Sequence, residues 1–116
     1  MYTLFMFEIQ HILGKEVVRE SKCDSELIDK LLELGEQKKY PFKLIRGKTM
    51  CAHDFYEGQG RLDGYFCEHT MEDKHSFLLK CREEGIVNFE MESLCFAGML
   101  NHAKIKCMQI WLYFVI

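Results

Sequence analysis

The segment Ile86-Val87-Asn88-Phe89-Glu90-Met91-Glu92-Ser93 runs from β-branched and aromatic residues into an acidic pair and a serine. Residues 86–89 read as a short apolar strand, bounded upstream by Gly85. Residues 94–100 are nearly all apolar and small, which predicts a buried helix with polar Asn101-His102 near its end. Upstream, Thr70 with Asp73 three residues on is an acidic variant of the capping box. It opens a predicted helix carrying Phe77, Leu78 and Cys81, which Gly85 closes. Pro41 breaks the chain, and residues 42–50 read as a strand. Residues 105–116 form a terminal apolar run, too short for a membrane span and suited to a strand buried on both faces. The order strand, helix, strand, helix, strand predicts an α/β fold, with a mostly parallel or mixed sheet and flanking helices.

The N-terminal part is less decided. Residues 1–13 are mostly apolar and suit either a strand or a frayed tail, and residues 14–20 look extended around Val17-Val18. Asp24 or Ser25 can cap a helix whose Leu27, Ile28, Leu31, Leu32 and Leu34 recur at helical spacing, with Gly35 placed to end it.

The chain has 116 residues, enough for one small domain. It is 48% hydrophobic and 28% charged, with 15 basic and 18 acidic residues interspersed and a net charge of −3. Without a Lys/Arg run, nucleic acid and anionic membrane have no electrostatic support as partners. Six cysteines at 23, 51, 67, 81, 95 and 107 never form Cys-x-x-Cys, and the start lacks the basic region of a secretory signal. Reduced thiols and a cytoplasmic location are expected. The tail of residues 110–116 is apolar and uncharged, so association of the isolated chain is expected.

Two further stretches carry chemistry. Asp54-Phe55-Tyr56-Glu57-Gly58-Gln59-Gly60-Arg61-Leu62-Asp63 packs an aromatic pair, two glycines, an amide and a guanidinium together. In extended backbone Gln59 and Arg61 point to one side, and can read a flat polar ring from its edge while Phe55 or Tyr56 covers a face. The same stretch also suits an ordinary surface loop with a salt-bridged arginine. Glu90 and Glu92 suit either helix-start acids favoured by the macrodipole or carboxylates that accept hydrogen bonds from a vicinal diol. Cys51-x-His53 and Cys67-x-His69 are spaced more tightly than structural zinc pairs, and no metal site is expected.

The run from Phe55 to Arg61, within Thr49-Met50-Cys51 and residues 54–64, resembles the uridine phosphorylases of the nucleoside phosphorylase family, most of all the animal enzymes. Residues 86–93 are similar to that family's ribose-binding segment. The likeness spans roughly residues 7–106; the first few residues and residues 107–116 do not match.

The resemblance implies a partial three-layer nucleoside phosphorylase fold in one truncated domain over residues 1–116. It implies a pentosyltransferase of pyrimidine salvage, in which uridine and phosphate give uracil and ribose 1-phosphate reversibly. Phosphate is then a co-substrate and no cofactor is needed. By the same likeness Gln59 holds the uracil edge at O2 and N3–H, Arg61 holds O4, and Phe55 packs on the base. The Met91 backbone and the Glu92 carboxylate hold the ribose hydroxyls, with Arg61 and Glu92 acting in catalysis. The family's Gly-rich phosphate loop, its phosphate-binding arginines and a histidine from a neighbouring subunit belong to a preceding half. The chain therefore resembles the C-terminal portion of the enzyme. A homo-oligomer, or association with a full-length chain, is the expected assembly. The alternative is a catalytically inactive fragment that binds nucleoside or a full-length family member.

Overall fold

A computed structural model describes residues 7–112. Within it the chain forms two compact units, residues 7–46 with 93–112, and residues 47–92.

The first unit begins with a hairpin. Strands β1 (Phe7–Ile12) and β2 (Lys15–Glu20) pair antiparallel, from Phe7 opposite Glu20 to Ile12 opposite Lys15. Leu13 and Gly14 make the two-residue turn, both at positive φ (51° and 76°), as the twist of a tight hairpin requires. Helix α1 (Ser25–Lys38) follows, and its N-cap is Asp24, whose carboxylate accepts from the Leu27 N–H at 3.0 Å. The helix does not stop at Gly35. It runs to Lys38 and ends on Lys39 in the left-handed conformation (φ 50°). A glycine weakens a helix without ending it, and a Cβ at Gly35 would collide with the side chain of Leu44.

The last helix of this unit, α3 (Ser93–His102), packs on both hairpin strands. Gly98 lets it come close: a Cβ there would stand 3.0 Å from the Glu8 Cβ. Ser93, Ala97 and Gly98 are buried, but Phe96 and Met99 are 46% and 47% exposed. The expected buried helix therefore buries only a narrow stripe of small residues, because the hairpin covers one of its faces. Asn101 ties the unit together. Its side chain accepts from the Lys22 N–H at 2.8 Å and donates to the Lys22 carbonyl at 3.0 Å. The Asp24 N–H donates to the Cys107 carbonyl at 2.7 Å. Residues 105–112 carry no strand, so the expected terminal strand is absent there; its last residues, 113–116, lie outside the described part.

The second unit is a strand–helix–strand crossover. Strands β3 (Lys48–Cys51) and β4 (Ile86–Glu90) pair in parallel, with Thr49 opposite Asn88 and Cys51 opposite Glu90. The Thr49 hydroxyl donates to the Asn88 side-chain oxygen at 2.6 Å across this pair. Residues 42–47, expected to open the first strand, are not in it. Between the two strands runs α2 (Met71–Glu83). Its capping box is complete: Thr70 Oγ1 accepts from the Asp73 N–H at 3.1 Å, and the Asp73 carboxylate accepts from the Thr70 N–H at 2.9 Å. Phe77 stacks on Phe89 of β4, ring centroids 5.9 Å apart, and so seats the helix on the sheet.

The two capping carboxylates give a pH dependence. The Leu27 N–H holds the Asp24 carboxyl below the usual carboxylate range, and the Thr70 N–H followed by its hydroxyl does the same for Asp73. A folded-state value below the unfolded one stabilises the fold above about pH 4 and is lost as pH falls through the folded value. The thermal midpoint should stay level between about pH 5 and about pH 7 and fall below about pH 4. Asp24→Asn with Asp73→Asn keeps cap acceptors without the charge and should flatten that acid limb. An unchanged limb in the double variant would refute the assignment.

Candidate functional site

The site is built where the chain leaves the two parallel strands. Past β3, the Ala52 N–H donates to the Glu90 carbonyl at 2.7 Å, extending the pairing by one rung. Asp54 then organises the loop. One carboxylate oxygen accepts from the Tyr56 N–H at 2.8 Å and the other from the Gly58 N–H at 2.7 Å. These bonds curl the backbone into a single 3-10 turn, Glu57–Gln59. Gly60 ends that turn at φ 67°, which glycine adopts without steric cost, and the Arg61 N–H closes back on the Tyr56 carbonyl at 2.9 Å.

Gln59 and Arg61 therefore do not lie in extended backbone, as the sequence suggested. The turn and the left-handed glycine nevertheless bring both side chains to one cleft of about 590 Å³, within the range of small-ligand pockets. Asp63 and Lys74 complete its polar lining, and Leu62, Leu78 and Phe89 supply the apolar part. The Arg61 guanidinium sits over the Phe55 ring, 3.9 Å from its centroid. Tyr56 meets Phe55 edge-on at 5.2 Å. Arg61 is thus held by an aromatic face, whereas the alternative reading had a surface salt bridge. Among the described residues it has no ion-pair partner.

Met91 and Glu92 follow β4 directly. Glu90 is only 7% exposed and is the last residue of that strand. Its carboxylate accepts from the Glu92 N–H at 2.8 Å, and the exposed Glu92 carboxylate accepts from the Met91 N–H at 3.2 Å. The helix begins only at Ser93 and has no acid in its first turn. Glu90 ends the strand, whereas Glu92 immediately precedes the helix and so still stands at its start. Met91 and Glu92 do not line the cleft of Gln59 and Arg61, and Phe55 reaches it only through Arg61. The two groups have in common only that each follows the carboxyl end of a strand of the β3–β4 pair, the end at which ligands of α/β sheets gather.

Sequence reasoning passed over Lys74 and Phe89 as cleft residues, and Glu90 as the residue that holds the turn before Ser93. One signal for Lys74 was present, since Lys74, Phe77 and Leu78 share a helical face at spacings of three and four. All six cysteines are free thiols, and burial pushes the thiols of Cys23, Cys81 and Cys107 up. The Cys67 sulfur lies 3.9 Å from the His69 ring. Among the described residues no three His, Cys, Asp or Glu side chains are grouped to hold a metal.

An amide, a guanidinium and an aromatic ring thus follow the first strand of an α/β crossover. Residues 3–113 match the family model of the phosphorylase superfamily. The chain belongs to the phosphorylase superfamily. Over 95 residues it is 52% identical to uridine and thymidine phosphorylase of Caenorhabditis elegans, covering 82% of this chain and 32% of that protein. Over 97 residues it is 42% identical to uridine phosphorylase 1 of Mus musculus, covering 84% of this chain and 31% of that one. The crystal structure of uridine phosphorylase from Schistosoma mansoni in complex with thymine matches with a TM-score of 0.82 at 35% identity, over 87% of this chain and 36% of that chain. The fold is a partial nucleoside phosphorylase fold. The chain spans about a third of the length of these relatives.

Proposed function

We propose that these residues form the nucleoside-binding portion of a uridine phosphorylase, which converts uridine and phosphate reversibly to uracil and ribose 1-phosphate. The observation that carries this reading is the joint placement of Gln59 and Arg61 on one partly apolar cleft, with Arg61 seated on Phe55. An amide offers both an acceptor and donors, which suits the O2 and N3–H edge of uracil, and a guanidinium suits O4. The guanidinium covers one face of Phe55, so packing of that ring against a base held by Arg61 would require the guanidinium to swing off it. Met91 and Glu92 at the same strand edge would take the ribose hydroxyls, with Glu92 favouring the positive charge that develops on the ring.

In the reaction a phosphate oxygen bonds to the anomeric carbon while the bond to uracil N1 breaks. The electron pair leaves with the base and spreads to its carbonyl oxygens. Arg61 then faces charge that is greater in the transition state than in the substrate, which is the productive place for a fixed cation. Phosphate is the nucleophile, so no side chain is asked to become one.

The 116 residues contain no Gly-rich phosphate loop, so we assign phosphate binding, and with it completion of the enzyme, to a further portion of the protein or to a partner subunit. A second reading rests on the same fact: these residues alone are a binding module for a nucleoside or for a full-length relative. The test is a polypeptide that joins these residues to the preceding two thirds of a relative. It should release uracil from uridine only when phosphate is present. A joined, folded polypeptide that binds uridine and never releases uracil would favour the binding module.

A further inference from the structure

Lys74 occupies the cleft of Gln59 and Arg61 without an assigned task. It stands in the first turn of α2, and its stem runs beside the loop: a Cβ at Gly60 would lie 3.9 Å from the Lys74 Cγ. Among the described residues neither Lys74 nor Arg61 has an ion-pair partner, although the exposed Asp63 lines the same cleft. Two like charges therefore share a cleft with Leu62, Leu78 and Phe89. Two cations lining one cleft attract an anionic occupant more than a neutral one. A neutral ring needs only one donor at O4, so the second cation is unexplained by binding of a neutral base. An anionic ring gives both cations a partner. The apolar lining and the Gln59 amide fit a flat heterocycle better than a fully hydrated inorganic anion.

We infer that Lys74, with Arg61, makes this cleft selective for the deprotonated form of a pyrimidine-2,4-dione, the form in which uracil leaves the sugar. The inference rests on the nucleobase reading of the cleft. Lys74 acts through its position and transfers nothing. It faces the electron pair that moves onto the ring when the bond between N1 and the anomeric carbon breaks. Arg61 would hold the base in both forms, whereas Lys74 would discriminate between them.

The test compares three ligands of the 116-residue chain at neutral pH by titration calorimetry: uracil, 5-nitrouracil and inorganic phosphate. The nitro group makes 5-nitrouracil an anion under these conditions, while uracil is neutral. The wild-type chain should prefer 5-nitrouracil. Lys74→Met should weaken 5-nitrouracil about fivefold, the scale of one partly exposed ion pair, and leave uracil nearly unchanged. Lys74→Arg should restore the preference, and the two variants should keep the wild-type circular dichroism spectrum. Equal loss of both bases in Lys74→Met, or no loss of either, would overturn the role of Lys74 while leaving the nucleobase site standing. Displacement of 5-nitrouracil by phosphate at comparable concentration would overturn it in favour of a phosphate site. Failure of the wild-type chain to bind either base would remove the nucleobase reading as well.

Discussion

Replacing Arg61 by alanine in the joined, active polypeptide is expected to lower kcat/KM for uridine by two to three orders of magnitude, about 3 kcal/mol. Uracil is a poor leaving group unless its developing charge is met. The guanidinium lines the cleft proposed for the base, 3.9 Å from the Phe55 ring centroid, and among the described residues no carboxylate pairs with it. A group held in place before the reaction has no reorganisation cost during it, which is why such donors weigh more in kcat than in KM. Most of the loss should therefore appear in kcat. Arg61→Lys should recover part of the activity, since the charge returns without the planar fork. The measurement is uracil release followed by absorbance at saturating and at low uridine. A rise in KM with kcat untouched would mean that Arg61 holds substrate and transition state equally, and the proposed role would fail.

A polypeptide of these 116 residues alone is expected to give no phosphate-dependent uracil release. Positioning phosphate in line with the anomeric carbon is worth roughly 7–11 kcal/mol of barrier, which at the upper end is about eight orders of magnitude in rate. The 15 basic residues are interspersed with 18 acidic ones along the sequence, with no run that would gather a phosphate. The two cations on the cleft, Arg61 and Lys74, are assigned to the base. Binding of uracil without turnover is the expected pattern. Turnover by the chain alone, rising with phosphate concentration, would require a phosphate site within these residues and would overturn the division of labour proposed above.

The parts of the fold that local chemistry controls were legible before any coordinates. Thr70 and Asp73 announce a helix start because a hydroxyl and a carboxylate at that spacing satisfy two orphan N–H groups, and the bonds are found at 3.1 and 2.9 Å. Asp24 does the same for α1. The strand at Ile86–Glu90 follows from a short apolar run after Gly85. Gln59 and Arg61 stood out as an amide and a guanidinium two residues apart, but the residues alone suited an ordinary surface loop as well, and only the resemblance to the uridine phosphorylases singled out the pair.

The tertiary structure decided what depends on distant neighbours. Gly35 could not be read as helix interior from the sequence, because what matters is Leu44 beside it. The apolar run after residue 104 lacks strand pairing over residues 105–112, since apolar composition by itself forms no ladder without a neighbouring strand to pair with. Gln59 and Arg61 face one cleft through a 3-10 turn and a left-handed glycine, set by two hydrogen bonds to Asp54. Lys74 joins them from a helix thirteen positions beyond Arg61. The sequence alone determined which donors and charges are present and where helices can begin. Which of them share a cleft was decided only by the crossover that seats α2 on β4 through Phe77 and Phe89, because a side chain's partners are set by packing across the chain and not by spacing along it.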